Sequence, residues 1–341
     1  MQAQEFPDQF DGIVAGAPAF DFNALSYWAG RFYKATGPPG SPTFLSAQEW
    51  DTVYADILKQ CDALDGAVDG ILEAPELCHY SPASIVCRTD QKENCLVAEK
   101  AATVDIAFSP VYDDRGKLIY PRLQPGCNST DQYFSGYPAP YPTDWYRFVV
   151  YNDSSWDPRT LRLKDYVAGQ QLNPFNIATW SGDLSRFHRR RGKLLHLHGL
   201  QDPIISSEIS NRYYGLVSET MGLGPAELDD FYRYFRISGL AHCEDGTGSN
   251  FIGLSEKLAA SRAPEENVLS AIVKWVEEDM APETILGTKF ANGRRGGRVL
   301  AQRRHCKYPL MNKYRGSGNP SSPESWECVE KVELEMSLLP R

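Results

Sequence analysis

Two residues late in the chain, Asp202 and His242, are of the types that move protons in nucleophilic catalysis. A neutral imidazole can take a proton from a hydroxyl group, and a carboxylate on its other nitrogen fixes the tautomer and stabilises the imidazolium. Each of the two residues follows a predicted strand, and an acid before a histidine is one known order of such a pair. On spacing alone, Asp202 is equally a turn residue or helix cap, and His242 is equally a buried structural histidine.

The other histidines are weaker candidates for proton transfer. His196 and His198 alternate on the strand before Asp202, so their side chains share one face. We interpret His196 as a core residue. His198 lies beside Gly199 near the mouth of the predicted site, where its role is either direct or structural. The remaining histidines are assigned to the surface: His79, His188 and His305.

A second group of chemistry-bearing residues lies between Cys61 and Ile71, where three carboxylates and two glycines form a short loop. Ca²⁺ takes roughly six to eight oxygen ligands, which a glycine-bent loop can present. The predicted ligands are the side chains of Asp62, Asp65 and Asp69 and the carbonyl groups of Ala67 and Ile71. The loop partly resembles an EF-hand but has Ala67 at the third ligand position. The alternative is a plain Asp/Gly turn.

The eight cysteines are the third chemical signal. Close spacing without any C-x-x-C motif predicts disulfide-closed loops rather than metal clusters, in the pairs Cys61–Cys78, Cys87–Cys95 and Cys306–Cys328. Other connectivities remain open from sequence alone. Glycosylation sequons at Asn128 and Asn152 fit the same oxidising export route, although such tripeptides also arise by chance. The first residues have neither the basic start nor the apolar core of a signal peptide.

The length and composition of the chain exclude some classes of protein. The chain has 341 residues, which is long for one domain of about 100–200 residues and suits two lobes. Its 35 Lys and Arg against 44 Asp and Glu give a net charge of −9, which argues against nucleic acid or an anionic membrane as a partner. No stretch approaches the roughly 18 apolar residues that a membrane span requires.

A parallel sheet is needed to position Asp202 and His242. Short apolar runs flanked by turn residues predict buried parallel strands at 12–16, 193–199 and 231–237. Amphipathic patterns predict helices at 206–221 and 267–278. Functional groups in such sheets gather in the loops after the carboxyl ends of the strands, which is where both residues fall.

The amino-acid composition changes between about residues 40 and 185. This part is rich in Pro, Gly, Tyr and Trp and holds five of the eight cysteines. A capping box at Ser46–Glu49 begins one clear helix there. Further on, the Gly- and Arg-rich run 292–304 predicts a solvated loop or linker, and residues 306–328 predict a disulfide-closed hairpin.

Several motifs together resemble the fungal and bacterial tannase/feruloyl esterase family. The segment FPDQFDGIVAGAPA at 6–19 resembles the stretch that follows the nucleophile elbow of that family. HGLQD at 198–202 resembles its H-G-x-x-D motif, whose Asp is the triad acid. GLAHC at 239–243 resembles its G-x-x-H-C motif, whose His is the triad base. The tail, including KYRGSG at 313–318, is also similar.

The resemblance implies an α/β fold: an α/β-hydrolase-like parallel sheet, with N-terminal strands missing, and a large inserted lid that contains disulfides and calcium. We call residues 41–185 the inserted segment. Residues 1–40 and 186–341 then form the catalytic part, the second with a C-terminal extension. The sequence CDALDGAVDGI at 61–71 looks like the structural calcium site in the lid of this family, one residue off in spacing, which favours Ca²⁺ over a plain turn.

The chain departs from the family at the nucleophile. The family carries G-C-S-x-G-G upstream of the stretch that residues 6–19 resemble, and this chain contains no G-x-S-x-G. We therefore expect a fragment whose nucleophilic Ser lies shortly before Met1, and which is inactive alone. In the family, the Cys beside the Ser bonds the Cys beside the His. Cys243 lacks that partner, so Cys243 and Cys127 are either two free thiols or a pair.

By resemblance, the parent protein is a secreted carboxylic ester hydrolase that acts on hydroxycinnamoyl or galloyl esters through an acyl-enzyme. Its expected partner is a small phenolic ester, either free or attached to plant polysaccharide. Aromatic residues of the inserted segment either stack the phenolic ring or pack the interior: Tyr133, Phe134, Tyr137, Tyr141, Trp145 and Tyr146. The alternative is a non-catalytic secreted protein that binds aromatic compounds or carbohydrate. A cytosolic dienelactone-type hydrolase is disfavoured by the cysteines.

Overall fold

A three-stranded parallel sheet carries the candidate site in the computed structural model, which describes residues 1–89, 91 and 93–331. The strands are β1 Gly12–Gly16, β2 Val111–Tyr112, β3 Leu118–Tyr120, β4 Lys193–Gly199, β5 Tyr232–Ile237, β6 Thr284–Phe290, β7 Val299–Cys306, β8 Met311–Tyr314 and β9 Trp326–Val329. The α-helices are α1 Gln2–Glu5, α2 Phe22–Thr36, α3 Ala47–Cys61, α4 Ala98–Ala107, α5 Pro140–Asp144, α6 Leu163–Leu172, α7 Ser185–Arg189, α8 Glu208–Met221, α9 Pro225–Leu228 and α10 Val268–Glu278. None of the helices described is both long and apolar enough to cross a membrane.

The parallel sheet has β4 at its centre, between β1 and β5. β1 pairs with β4 from Gly12 opposite Lys193, and β4 pairs with β5 from Leu194 opposite Tyr232. β5 is buried throughout and β4 is buried after its first residue, as expected for strands covered on both faces. The predicted strands are confirmed, with the third beginning one residue later than predicted.

Helix α10 packs against β1 and β4. Its N-cap, Asn267, accepts hydrogen bonds from the first free amides of the helix through its side chain. Gly12 of β1 permits the close approach, because a Cβ atom there would lie 2.8 Å from Val276. The helices predicted at 206–221 and 267–278 are confirmed, with α8 and α10 starting at Glu208 and Val268.

The inserted segment shares its apolar core with the sheet. Helix α3 begins at the predicted capping box, in which Ser46 and Glu49 exchange hydrogen bonds. Trp50 from α3 stacks on Phe134 with 4.1 Å between ring centroids. Both belong to one buried cluster that also contains Tyr232 of β5. The predicted boundaries at 41 and 186 stay a prediction, and residues 332–341 of the last predicted segment lie outside the described residues.

The structure joins the three predicted cysteine pairs, Cys61–Cys78, Cys87–Cys95 and Cys306–Cys328. The last of these closes a hairpin in which β8 and β9 pair antiparallel, as predicted. Among the residues that the structure describes, Cys127 and Cys243 are free thiols. Of the two alternatives for these cysteines, the structure therefore shows the unpaired one.

The prediction of a solvated loop over residues 292–304 is wrong for its second half. β7 begins at Val299 and pairs antiparallel with β6. Arg303 is only 6% exposed, and its guanidinium lies 3.3 Å from the ring centroid of Trp326. His305 of the same strand is fully buried rather than on the surface. Local composition hides this strand, because the acids that neutralise Arg303 lie more than two hundred residues away in sequence.

Candidate active site

Asp202 and His242 meet because two loops that follow neighbouring strands touch through their backbones. Asp202 lies three residues beyond Gly199, the last residue of β4, and His242 follows β5. A Cβ atom on Gly199 would lie 2.3 Å from the carbonyl oxygens of Leu240 and Ala241. Only a glycine therefore allows the second loop to approach the end of β4 this closely.

The imidazole and the carboxylate form a direct hydrogen bond. Nδ1 of His242 lies 2.7 Å from Oδ2 of Asp202. Because the carboxylate accepts, Nδ1 carries the proton and Nε2 is left with a free lone pair. Asp202 is fully buried, whereas the His242 side chain is 36% exposed. This arrangement is that of a general base aimed away from its orienting acid.

Asp202 remains ionised in spite of its burial. Its Oδ1 accepts the backbone amides of Ile204 and Ile205 at 2.8 and 2.9 Å, and its Oδ2 also lies 3.2 Å from Nε2 of His198. Burial opposes the charge, but the hydrogen bonds from His198 and His242 outweigh it and lower the pKa of Asp202 to about 2. The same hydrogen bond raises the pKa of His242 above 6.5, with burial opposing the shift.

Three side chains of the inserted segment hold successive carbonyl groups of the Asp202 loop. Gln124 donates to the carbonyl of Asp202 at 2.8 Å. Ser129 donates to the next carbonyl at 2.7 Å, and Tyr133 to the one after it at 2.6 Å. The position of the acid is therefore fixed by a part of the chain more than sixty residues away.

The described residues place no hydroxyl or thiol in hydrogen-bond contact with Nε2 of His242. Cys243, the neighbouring thiol, faces the end of β1 instead: a Cβ atom on Gly16 would lie 3.0 Å from its Sγ. Burial raises the pKa of Cys243 to about 11, so this sulfur is a thiol rather than a thiolate at neutral pH. Cys243 is not the nucleophile of this pair.

Three of the six aromatic residues named as candidates for ring stacking or interior packing pack the interior. Tyr133, Phe134 and Tyr146 are 2%, 1% and 1% exposed. Tyr137 is 66% exposed, while Tyr141 and Trp145 are half-buried. The buried rings are core residues, because their faces are already covered by other side chains.

The predicted calcium loop brings its residues together, but its acids bond to the protein itself. Asp62, Asp65 and Asp69 each accept at least one backbone N–H of the loop. The side chains of Asp62 and Asp65 are buried, as are Ala67 and Ile71. The described part of the chain contains no group of three or more His, Cys, Asp or Glu side chains arranged to hold a metal ion. Calcium therefore stays a prediction.

The donor chemistry of this loop nevertheless suits a hard cation. Glu73, 4% exposed, adds a further buried acid. Burial and then the charge of Glu73 raise the pKa of Asp65 to about 8. Arg303 neutralises part of this charge, since it pairs with Asp69 at 3.0 Å and with Glu73. The loop still holds more carboxyl groups than basic partners, and clustered oxygen donors of this kind are the ligands that Ca²⁺ prefers.

Sequence reasoning missed several residues of both sites. Glu73 carried a usable signal, because it is an acid close behind the Asp/Gly loop in an otherwise apolar stretch. Gln124, Arg303 and Ser210 carried none, since each acts on a partner far away in sequence. His198 was considered, and the structure places it in contact with Asp202.

Comparison with known proteins matches the chain to one family over most of its length. The tannase and feruloyl esterase family matches residues 1–329. A probable feruloyl esterase B-2 from Aspergillus terreus (strain NIH 2624 / FGSC A1156) is 48% identical over 329 residues, covering 96% of this chain and 62% of the relative. Among solved structures, an esterase from Aspergillus oryzae superposes with a TM-score of 0.94 at 46% identity, covering 96% of this chain and 66% of that one. Feruloyl esterase B from Aspergillus oryzae gives 0.93 at 44% identity, covering 96% and 65%.

The likeness includes the fold as well as the sequence. The chain spans less than two thirds of the length of the relatives it matches, 62% for the one from Aspergillus terreus. Within that span it shares the α/β-hydrolase-like architecture, with a parallel sheet and disulfides. The resemblance inferred from the motifs at 198–202 and 239–243 is confirmed. The chain belongs to the tannase and feruloyl esterase family.

Proposed function

We propose that Asp202 and His242 are the acid and base of a carboxylic ester hydrolase with a serine mechanism. The observation that carries this proposal is the 2.7 Å hydrogen bond from Nδ1 of His242 to a fully buried carboxylate. In the neutral imidazole it leaves Nε2 with a free lone pair, and the side chain is 36% exposed. Nε2 would take the proton of the nucleophile during acylation and return it to the leaving alcohol.

The nucleophile comes from outside these 341 residues in this proposal. The chain contains no G-x-S-x-G motif. No hydroxyl or thiol of the described residues is hydrogen bonded to Nε2 of His242. Loss of a triad serine typically lowers kcat by about 10⁶. The chain alone would therefore be inactive, although it holds its acid and base in working geometry.

The proposed substrates are esters of hydroxycinnamic or gallic acid, free or attached to plant polysaccharide. Support comes from the relatives, which are named feruloyl esterases, and from the family, which is named after tannase as well. Secretion is part of the same proposal, since three disulfides suit an oxidising compartment. Asn128 and Asn152 are exposed, as glycosylated residues must be.

A structural Ca²⁺ in the loop after α3 is the remaining part of the proposal. The side chains of Asp62, Asp65 and Asp69 and the carbonyl groups of Ala67 and Ile71 would hold it. A bound Ca²⁺ would offset the buried negative charge and fix the loop, and it takes no part in the chemistry.

The decisive experiment restores the nucleophile. The genomic sequence upstream of the start codon should contain an in-frame G-C-S-x-G-G. The 341-residue chain should leave methyl ferulate and methyl gallate intact, while the extended protein hydrolyses at least one of them. Asp202→Asn and His242→Ala in the extended protein should each lower kcat by about 10³ or more. Full activity of either variant would reject the proposed roles, and binding of ferulate without hydrolysis by the extended protein would favour the non-catalytic alternative.

A further inference from the structure

A continuous row of buried hydrogen bonds lies behind Asp202. The hydroxyl of Tyr232 is 2.8 Å from Nδ1 of His196, whose Nε2 is 2.9 Å from Oγ of Ser210. The same Oγ is 2.6 Å from Nδ1 of His198, whose Nε2 is 3.2 Å from Oδ2 of Asp202. All five side chains are at most 1% exposed, so no solvent competes for these groups.

The groups at the two ends of this row determine which atom donates in each of its hydrogen bonds. At one end, Nε2 of His198 faces Oδ2 of Asp202 and the carbonyl of Ile205 at 3.2 Å. Both are acceptors only, so Nε2 must carry a proton. At the other end, the Tyr232 hydroxyl has one described partner, Nδ1 of His196, so its proton has an acceptor only there.

One assignment of donors and acceptors gives every proton between these ends an acceptor. Tyr232 donates to Nδ1 of His196, and Nε2–H of His196 donates to Ser210. The Ser210 hydroxyl then donates to Nδ1 of His198. A reversed row would leave the buried Tyr232 proton without an acceptor among its described partners. A cationic His198 would remove Nδ1 as the acceptor of the Ser210 hydroxyl and leave it only the neighbouring Tyr234 hydroxyl. Because buried donors without a good acceptor are costly, the directed and neutral row is favoured.

We propose that His198 is a positioning residue for Asp202, held as the Nε2–H tautomer by the row Tyr232–His196–Ser210. This inference rests on the proposed function only in taking Asp202 and His242 as the acid and base. His198 gives Oδ2 of Asp202 a second side-chain donor beside His242. The carboxylate is thereby held by four hydrogen bonds in all and cannot rotate away from His242.

The row also sets how strongly His242 holds its proton. The Nε2–H dipole of His198 points its positive end at the carboxylate that His242 shares. It therefore weakens the attraction of Asp202 for an imidazolium at His242. The other charged group that acts on His242 is Glu244 in its own loop. Removing the His198 donor, with Asp202 and Glu244 unchanged, should raise the pKa of His242.

The first test reads the tautomers directly. The chain has six histidines, so selective ¹⁵N labelling gives few side-chain signals. We expect His196 and His198 to be neutral with protonated Nε2, and neutral His242 to be protonated at Nδ1. Two single variants, Ser210→Ala and Tyr232→Phe, assign the row by shifting its own signals, and Tyr214→Phe serves as a control because its buried hydroxyl has no described partner. A cationic or Nδ1-protonated His198 at neutral pH would overturn the proposal.

The second test separates positioning from mere packing. His198→Leu removes the donor at similar volume, while His198→Gln keeps an amide N–H near the position of Nε2. We expect the pKa of His242, followed by NMR titration, to rise by about half a unit or more in the Leu variant, a threefold change in proton affinity. The Gln variant should stay close to the parent value. Equal values in parent, Leu and Gln variants would reject the inference.

Neither test depends on hydrolysis. If the extended protein proved to be no esterase, the tautomers and the response of His242 would still stand or fall on their own. If hydrolysis were found but the tautomers differed, only the positioning role would be lost. Should His198→Leu fail to fold, the tautomers of the parent chain decide the question.

Discussion

The side-chain amide nitrogen of Gln124 lies 2.8 Å from the carbonyl oxygen of Asp202, which links the inserted segment to the loop of the buried acid. The carbonyl oxygen of the same side chain accepts the amide of Ser207 at 3.0 Å. Gln124 is fully buried, so one side chain satisfies two backbone groups that water cannot reach. The inserted segment therefore supports the loop that carries the buried acid.

Gln124→Leu should destabilise the protein because it leaves two buried backbone groups without partners. Each such group costs about 1–3 kcal/mol, so we expect the free energy of unfolding to fall by about 2–6 kcal/mol. Urea unfolding followed by circular dichroism would measure it. Gln132→Leu, at an exposed position of the same segment, is the matched control and should change little. A loss below 1 kcal/mol in Gln124→Leu would contradict the bridging role.

Gly199→Ala should separate the acid from the base. The new Cβ atom would lie 2.3 Å from two backbone carbonyl oxygens, and backbone cannot move aside as a side-chain end can. We expect a loss of about 3 kcal/mol in stability and, by NMR, a weaker hydrogen bond from Nδ1 of His242.

Gly215 in α8 provides the control for this substitution. A Cβ atom there would meet nothing within 4 Å, so Gly215→Ala should instead stabilise the helix by up to about 1 kcal/mol. Equal stability changes at the two glycines would show that the contact at Gly199 is unimportant.

The fold near the sheet could be predicted from sequence because its signals are local. β4 contains Leu194, Leu195 and Leu197 and ends at Gly199, and α10 begins after its cap Asn267 and buries apolar residues at helical spacing. The places of Asp202 and His242 after two such strands made them candidates, and the resemblance of HGLQD and GLAHC to family motifs selected them. The cysteine pairs followed from close spacing, which leaves few alternatives.

Interactions between distant segments could not be predicted in the same way. β7 was missed because an arginine-rich sequence is typical of solvated loops, and the acid that pairs with Arg303 lies 230 residues away. Gln124 and Ser210 are ordinary polar residues until the fold brings them to Asp202 and His198. Tyr133 was weighed as a ring-binding or a packing residue, and nothing local favours packing. In each case the partner, rather than the residue type, decides the role.

The stability of the protein should depend on pH through His242. The pKa of His242 in the folded state is raised above 6.5 by Asp202. A group whose folded pKa is raised binds its proton more tightly when folded, so its contribution is complete below the unfolded value and is lost as the pH rises through the folded value. His242→Gln removes the titration, while the mostly exposed His79 offers His79→Gln as a control.

Unfolding midpoints in urea between pH 5 and 9 measure this effect. The difference between the parent chain and His242→Gln should shrink as the pH rises from about 6.5 upward, and His79→Gln should run parallel to the parent. Since the His242 side chain is 36% exposed, solvent screening keeps the effect small. A difference that grows with pH would have the wrong sign for a raised pKa.

Calcium should stabilise the protein through the loop after α3. Asp65 and Glu73 are 1% and 4% exposed; Arg303 pairs with Glu73 but no described basic side chain pairs with Asp65, so an ionised Asp65 opposes folding unless a cation lies beside it. Binding to the folded state alone adds about 2.7 kcal/mol when Ca²⁺ is at 100 times its Kd. Thermal melts in CaCl₂ should therefore give a higher Tm than melts in EDTA, and Mg²⁺ should give less because it requires a smaller octahedral site.

Asp65→Asn distinguishes calcium binding from a general salt effect. In EDTA the variant should lose about 1–3 kcal/mol, because its single side-chain oxygen can accept only one of the amides of Ala67 and Glu73, which bond to separate oxygens of Asp65. In CaCl₂ the gap between parent and variant should widen, since the parent gains stability and the variant does not. Asp113→Asn removes an acid of similar local bonding from the turn between β2 and β3 and should keep the full response to Ca²⁺. Because the gap widens only if Ca²⁺ binds at Asp65, a parent chain with equal Tm values in EDTA and CaCl₂ would contradict calcium binding and leave the loop as a turn held by its own amides and Arg303.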